Sequence, residues 1–413
     1  MHHEMILSQN HRASFELKDN SNIFVLGQVG SGKTRSHVLP NIMEQDNVSM
    51  VIADTKGELR AKTEEMLREK GYVIKSIDFD CPSQSKDQFN PFMYIQSPED
   101  ILMMSNIVVG SQTAAIRADP YWDNAALLLL QSCIAYLNTT IRPTDQTLTG
   151  LQRLICAFAP NDEMGYKSSL EVMFDDLAMS EPDCFAVQQW RSFSAIKGVA
   201  KTASTICSVL LSTFAQVLTP DIAKLTATDT LDFASIGQRK TALFVSVSDV
   251  DRSKDRLVSL FYSLLLNTLR NEADRRADKG LPVHVHFFLD DFATNVCIYE
   301  FPTYISSLRS REISFSIVVQ SEEQLQRLYG CNASTIIANC AYYLFFGSCD
   351  LKNCQDIARR MNIPLDKVLY KPRDKVFVLS NFARPLVDEV YSLTKHPRYH
   401  KLSNEETAIS LAV

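Results

Sequence analysis

The residues Gly27-Gln28-Val29-Gly30-Ser31-Gly32-Lys33-Thr34 satisfy the pattern G-x-x-x-x-G-K-[ST] at every fixed position. Glycines there let backbone N–H groups converge on phosphate oxygens without side-chain clash. Lys33 supplies a point charge for β- and γ-phosphates, and the Thr34 hydroxyl supplies a ligand for Mg²⁺. Such a loop needs a strand before it and a helix after it. Ile23-Phe24-Val25-Leu26 reads as a short buried strand. Val38, Leu39, Ile42 and Met43 then cluster on one side of a helix, whose N-terminus adds partial positive charge at the loop.

A second constellation lies far along the chain. Val283 to Leu289 is an apolar strand followed by Asp290-Asp291. Beside a P-loop strand, its first carboxylate falls near Mg²⁺, the Walker B position, and the second near the attacking water. Asp290 is the metal-side candidate and Asp291 the general-base candidate. For an isolated Asp-Asp pair, capping of an adjacent helix is the competing account. Gln320 ends another apolar stretch, Ile313 to Val319, where an amide can sit between the nucleotide-binding strands and report on the γ-phosphate. Arg309 and Arg311 precede that stretch. Either can reach the nucleotide of a neighbouring subunit as a finger, with Arg311 favoured because it lies nearer the strand. A solvated helix end is the alternative there.

The elements that must position these groups fit within 413 residues, enough for two domains or one with a large insertion. Hydrophobic residues make up 46% and charged residues 22%, an ordinary globular balance that leaves room for a sizeable core. The net charge of −6 argues against broad coating of nucleic acid, while a local basic lining stays open. The ten cysteines form no C-x-x-C pair and no Cys/His cluster of zinc spacing, which reads as free thiols in a reducing compartment. The first twenty residues are polar and carry no secretory signal. Ala125 to Leu130, continuing brokenly to Leu137, falls short of the about 20 residues a membrane span needs and reads as a buried helix.

Residues 1–95 alternate strand and helix, with further strands at Val48 to Asp54 and Tyr72 to Phe79 around a helix from Lys56 to Lys70. That βαβαβ order implies a parallel sheet with right-handed crossovers. Between 96 and 235 apolar residues recur at helical spacing, notably in 98–109, 121–138, 148–158 and 199–218, which predicts an all-α domain. Alternation resumes near 240. It places strands at Thr241 to Val247, Val283 to Leu289, 313–319, Ala341 to Phe346 and Lys375 to Leu379, with a further strand signal at Val387 to Tyr391. The tail after Thr394 reads as loosely structured. The division is thus a discontinuous nucleotide-binding domain, 1–95 and 236–400, an all-α domain, 96–235, and a flexible tail, 401–413.

Several blocks, in order, resemble the type IV coupling proteins of conjugation and type IV secretion, TraG/TraD-like members of the RecA-like DNA-pumping motors of FtsK-HerA type. They are the P-loop running into Arg35 and Pro40-Asn41, then Asp54-Thr55-Lys56-Gly57-Glu58-Leu59, then Asn90-Pro91-Phe92. Asp119-Pro120-Tyr121-Trp122 and Lys201-Thr202 follow, then Leu289-Asp290-Asp291-Phe292-Ala293. Arg309 to Phe315 leads to Gln320-Ser321, and Tyr329-Gly330, Asn339-Cys340 and Lys395-His396-Pro397 close the series. The resemblance implies an α/β fold: a RecA-like, mainly parallel sheet flanked by helices, with an inserted all-α domain. It implies an ATPase that takes ATP and Mg²⁺, with Gly27 through Thr34 and Arg35 as the nucleotide set. The implied assembly is a homo-hexameric ring. The implied partners are DNA, taken as single-stranded and held by local channel contacts, a relaxase, and a type IV secretion channel. Trp122 fits a core residue on either account.

Two departures stand out. The family usually carries Asp-Glu where this chain has Asp290-Asp291, so the shorter carboxylate is expected to hold the lytic water less well. The family also usually has an N-terminal membrane anchor, for which the residues before Gly27 leave no room; a naturally anchorless member, a trimmed sequence and one half of a split system are the open accounts. The expected location is cytoplasmic, at the inner face of the cell membrane through partners. The rival to a DNA-translocation ATPase is an ATP-binding adaptor that recruits a relaxase or secreted protein and hydrolyses little. A metabolic P-loop kinase carries little weight, because its acceptor site and lid lie much closer to the P-loop than Asp290 does.

Overall fold

The structure is a computed structural model that describes residues 3–16, 18–110, 120–292 and 297–402. Asp119, Ala293 and the tail from 403 onward lie outside the described residues. The chain folds as two compact units: residues 1–80, 232–250 and 265–413, and residues 81–231 with 251–264.

Among the described residues the first unit has eleven strands. They are β1 (His3–Ile6), β2 (Arg12–Phe15), β3 (Ile23–Gly27), β4 (Ser49–Ala53), β5 (Val73–Asp78), β6 (Thr241–Ser246), β7 (Val285–Leu289), β8 (Ile313–Val319), β9 (Tyr342–Gly347), β10 (Lys375–Ser380) and β11 (Leu386–Glu389). Nine form one sheet in the order β11-β10-β9-β3-β8-β7-β4-β6-β5, and β1 and β2 form a separate antiparallel hairpin. All pairings from β9 through β3 to β5 are parallel, while β10 pairs antiparallel with β9 and β11. Strands β3, β4, β7 and β8 are buried at every position, as expected of parallel strands covered on both faces. One face carries Ile23, Val25, Ile52, Phe244, Phe288 and Val318, which pack with Val38, Ile42 and Met43 of the helix after β3 and with Met66 and Leu67 of the helix Glu58–Glu69. On the other face Phe315 meets Phe301 of the helix Phe301–Ser307 edge-on, with ring centroids 5.1 Å apart.

The helix after the glycine loop opens with a π-turn over Thr34–Val38 before the α-helical Leu39–Glu44. Pro40 explains the wide turn. Its ring removes the N–H that would bond to Ser36 and crowds that turn, and a π-turn just before it relieves both.

The second unit holds helices Pro98–Val109, Pro120–Thr140, Leu148–Cys156, Ser169–Ser180, Phe185–Ile196, Ala200–Val217 and Pro220–Leu225, with an aromatic cluster of Tyr136, Phe158, Phe174, Trp190 and Phe193 among them. Trp190 stacks on Phe174 at 4.4 Å between ring centroids and an interplanar angle of 3°. No helix among the described residues is long and apolar enough to cross a membrane.

Four readings of the sequence change. Strand β7 is not next to β3, because β8 lies between them. Residues 3–15 are a hairpin rather than plain polar chain: Ala13 and Phe15 of β2 turn inward between exposed Arg12 and Ser14, and Met5 and Ile6 of β1 are both buried. Trp122 is 37% exposed, and the buried tryptophan is Trp190. The segment just after Thr394 is docked: His396 is buried with its Nε2 3.0 Å from Oε2 of Glu44, and Arg398 donates to the Met43 carbonyl at 2.8 Å.

Candidate functional site

Because β3, β7 and β8 run parallel, their C-terminal ends meet at one edge of the sheet. Gly27 ends β3, Gln320 follows β8, and Asp290 and Asp291 follow β7. The glycine loop crosses this edge. Gly30 and Gly32 have φ of +73° and +85°, which L side chains rarely adopt, and no atom lies within 4 Å of where a Cβ on Gly30 would stand. Gln28 anchors the loop through its N–H to the Gly347 carbonyl at 3.2 Å, and its side-chain oxygen accepts from Cys349 Sγ. Val29 projects outward at 77% exposure. The Ser31 hydroxyl is buried with no protein partner.

Lys33 folds back under the loop, and its ammonium donates to the carbonyls of Gly27 and Gln28. Burial pushes its pKa down, and the charges of Asp291 and Asp290 pull it back up. Thr34 Oγ1 donates to Asp290 Oδ2 at 2.5 Å, so the two metal-side candidates meet although they are far apart in sequence. Burial pushes the Asp290 carboxyl up to about 6. The Thr34 bond opposes that shift and the charge of Asp291 adds to it. Asp291 sits in left-handed backbone, φ +49°, and its N–H donates to Asp290 Oδ1 at 3.1 Å. Gln320 Nε2 donates to Asp291 Oδ1 at 3.1 Å.

These residues fit a nucleotide phosphate with Mg²⁺ on donor chemistry. An anion fits the glycine cradle, the orphan Ser31 hydroxyl and the Lys33 ammonium. A hard cation fits the hydroxyl–carboxylate pair of Thr34 and Asp290, which offers two oxygens and leaves further positions for water and phosphate. Arg35 is exposed and lines a cleft with Thr34, Asp54, Lys56, Asp290 and Asp291.

Arg311 is not brought to this edge. It precedes the first residue of β8, whereas Gln320 follows the last, so a strand of seven residues separates them, about 23 Å at 3.3 Å per residue. Its guanidinium pairs with Asp274, Nε to Oδ1 at 2.9 Å and Nη2 to Oδ2 at 3.0 Å. Arg309 sits in the same short turn, Arg309–Arg311.

Two residues without an assigned role belong to the surroundings of the site. Asp54 follows β4, lines the cleft and accepts the N–H groups of Leu59 and Arg60 at 3.1 and 2.8 Å, capping the helix Glu58–Glu69. Burial raises its pKa. The signal was a carboxylate at the end of a buried strand, the same signal that marks Asp290. His37 lies one turn past the loop and is fully buried. No spacing marks it in the sequence, because its partners sit on a distant strand.

A parallel sheet with a glycine–Lys–Thr loop after one strand and a carboxylate pair two strands away defines a P-loop nucleotide-binding fold of RecA-like type. The chain belongs to the type IV secretory system conjugative DNA transfer family, whose model matches residues 6–360.

Among solved structures it is similar to the bacterial conjugative coupling protein TrwBdeltaN70 in complex with sulphate, at TM-score 0.65 and 15% identity over 90% of this chain and 86% of that one. Plasmid coupling protein TrwB in complex with ADP and Mg²⁺ gives TM-score 0.64 and 16% identity over 90% and 85%. VirB4 of Thermoanaerobacter pseudethanolicus gives TM-score 0.56 and 14% identity over 96% and 98%. At these identities the likeness shows the fold. No curated protein matched the sequence.

Proposed function

We propose that this protein is an ATP-driven motor of conjugative DNA transfer, which hydrolyses ATP at the edge formed by β3, β8 and β7. The observation that carries the reading is the meeting of Thr34 with Asp290 and of Gln320 with Asp291 beside the glycine loop. Family membership supports DNA transfer as the process. TrwB, the fold relative, has been solved with an ATP analogue and with ADP and Mg²⁺, which supports the same ligands here.

In this reading the loop N–H groups and Lys33 hold the phosphates, while Thr34 and Asp290 hold the metal. Bound Mg²⁺ would neutralise charge developing on the phosphate oxygens. Lys33 is held close enough to Asp290 and Asp291 to feel both charges. Asp291 accepts a proton from water, and Gln320 orients the carboxylate by donating to one of its oxygens. Arg311 stands outside this set. Its action on the nucleotide of a neighbouring copy is the part of the reading that a mixed assembly of Arg311→Ala and Lys33→Ala subunits tests. Partial activity would return only if the arginine works between subunits.

DNA binding and assembly are tested together by sizing the protein with and without ATP–Mg²⁺ and single-stranded DNA. A ring-sized species that retains DNA supports the motor. A monomer that binds ATP but no DNA supports the adaptor reading.

A further inference from the structure

An unbroken line of polar groups crosses the apolar layer beneath the glycine loop. His37 Nε2 lies 3.3 Å from Ser316 Oγ, and the same hydroxyl lies 2.9 Å from His286 Nε2. His286 Nδ1 is 2.7 Å from Ser314 Oγ, which is 2.6 Å from His284 Nε2. His284 Nδ1 ends the line 3.1 Å from Glu312 Oε2. At the other end Asn41, one turn along the helix from His37, donates to the His37 carbonyl at 2.7 Å and exchanges both backbone bonds with Ile6 of the hairpin. His37, Asn41, His286 and Ser316 are entirely buried.

Buried polar groups are costly unless matched, about 1–3 kcal/mol for each one left unsatisfied. Apolar side chains would fill this layer without that requirement. What the polar line adds is register. His37 lies four residues past Lys33, Ser316 four before Gln320, and His286 four before Asp290. The Ser316 hydroxyl therefore joins the three elements that end in the phosphate-side, water-side and metal-side groups. It has one proton, so it donates to one ring and accepts from the other, and its loss takes one hydrogen bond from each ring at once. Burial pushes His37 down to about 4, which keeps its ring neutral and able to donate from one nitrogen while accepting at the other.

We propose that His37 is a positioning residue for nucleotide turnover, acting through Ser316 and His286 to hold the P-loop helix in register with the strand ends that carry Gln320 and Asp290. The proposal rests on the reading of the P-loop edge as a hydrolytic site. Misplacement of catalytic groups by about 1 Å costs on the order of 100-fold in rate, so the rate is expected to be more sensitive than affinity.

The test uses Ser316→Ala, His37→Leu and His37→Gln in the full chain. Gln offers a side-chain N–H to Ser316 where Leu offers none. Ring-nitrogen NMR of the nucleotide-free protein should show the His37 and His286 signals moving together in Ser316→Ala. Nucleotide affinity should change less than about 3-fold, while kcat falls roughly 10-fold or more in Ser316→Ala and His37→Leu. His37→Gln should restore most of that loss.

Wild-type kcat in a folded Ser316→Ala protein would overturn the proposal. So would a His37→Gln protein no faster than His37→Leu, or movement of one ring signal without the other. Should His37→Leu fail to fold, Ser316→Ala removes a single oxygen and still decides. A wild-type protein that turns over no nucleotide brings down the functional reading as well, and the wild-type rate distinguishes that failure from failure of the positioning role alone.

Discussion

Gln320 Nε2 donates to Asp291 Oδ1 at 3.1 Å, across the ends of two adjacent parallel strands. In the proposed mechanism the bond joins the residue assigned to the γ-phosphate to the residue assigned to water activation. At 291, where the chain departs from Asp-Glu, Asp is among the residues that tolerate the left-handed backbone seen there, where non-glycine residues are otherwise strained by about 1–3 kcal/mol.

Asp291→Asn keeps that backbone and the contact with Gln320 but removes the base. The rate of ATP turnover should drop by about 100-fold or more, within the usual worth of a general base, while nucleotide affinity stays within about 3-fold. Steady-state kinetics with a fluorescent-nucleotide titration checks both. Normal turnover in this variant would remove Asp291 from the mechanism. Asp291→Glu should leave turnover unchanged or raise it if the short carboxylate limits water activation.

Thr34→Val and Asp290→Asn remove the two oxygens that meet at 2.5 Å. Both should abolish the Mg²⁺-dependent part of nucleotide affinity and leave binding in EDTA nearly as in wild type. Titrations with and without Mg²⁺ distinguish this from a general loss of the site. An unchanged Mg²⁺ dependence would place the metal elsewhere.

Glu44 links the P-loop helix to the docked C-terminal segment. Its hydrogen bond with His396, against opposing burial and with help from Arg12, holds its carboxyl at about 2, below the ordinary 4.5. A carboxyl with a depressed folded-state pKa contributes stability that is complete above the unfolded value and is lost as pH falls through the folded one. The wild type should therefore lose stability between about pH 5 and pH 2, and Glu44→Gln should flatten that slope while lowering stability at neutral pH. Denaturant midpoints across this range provide the measurement. A slope identical in the variant would show that the pair carries none of the acid sensitivity.

Much of the nucleotide edge was legible in the sequence because its parts are local. Gly30, Gly32, Lys33 and Thr34 act within one loop, and Asp290 and Gln320 each follow an apolar run long enough to be a strand. Strand order was not legible, since no local pattern says that β8 lies between β3 and β7. For Arg311, read from the sequence as a finger for a neighbouring subunit's nucleotide, the fold gives its place within one subunit, before β8 and a strand length from Gln320. His37 and Ser316 stayed invisible because each is an ordinary polar residue until its distant partner is known. The N-terminal hairpin was missed because two four-residue strands with polar outer faces give too short a pattern to separate from loop.

The most direct test is phosphate release from ATP–Mg²⁺ measured as single-stranded DNA is added, in wild type and in Lys33→Ala. The account predicts turnover that rises with DNA in wild type and falls to background at every DNA concentration in Lys33→Ala, with both proteins folded and melting alike. Equal turnover in the two proteins, or a wild type that binds ATP–Mg²⁺ yet releases no phosphate at any DNA concentration, would contradict it.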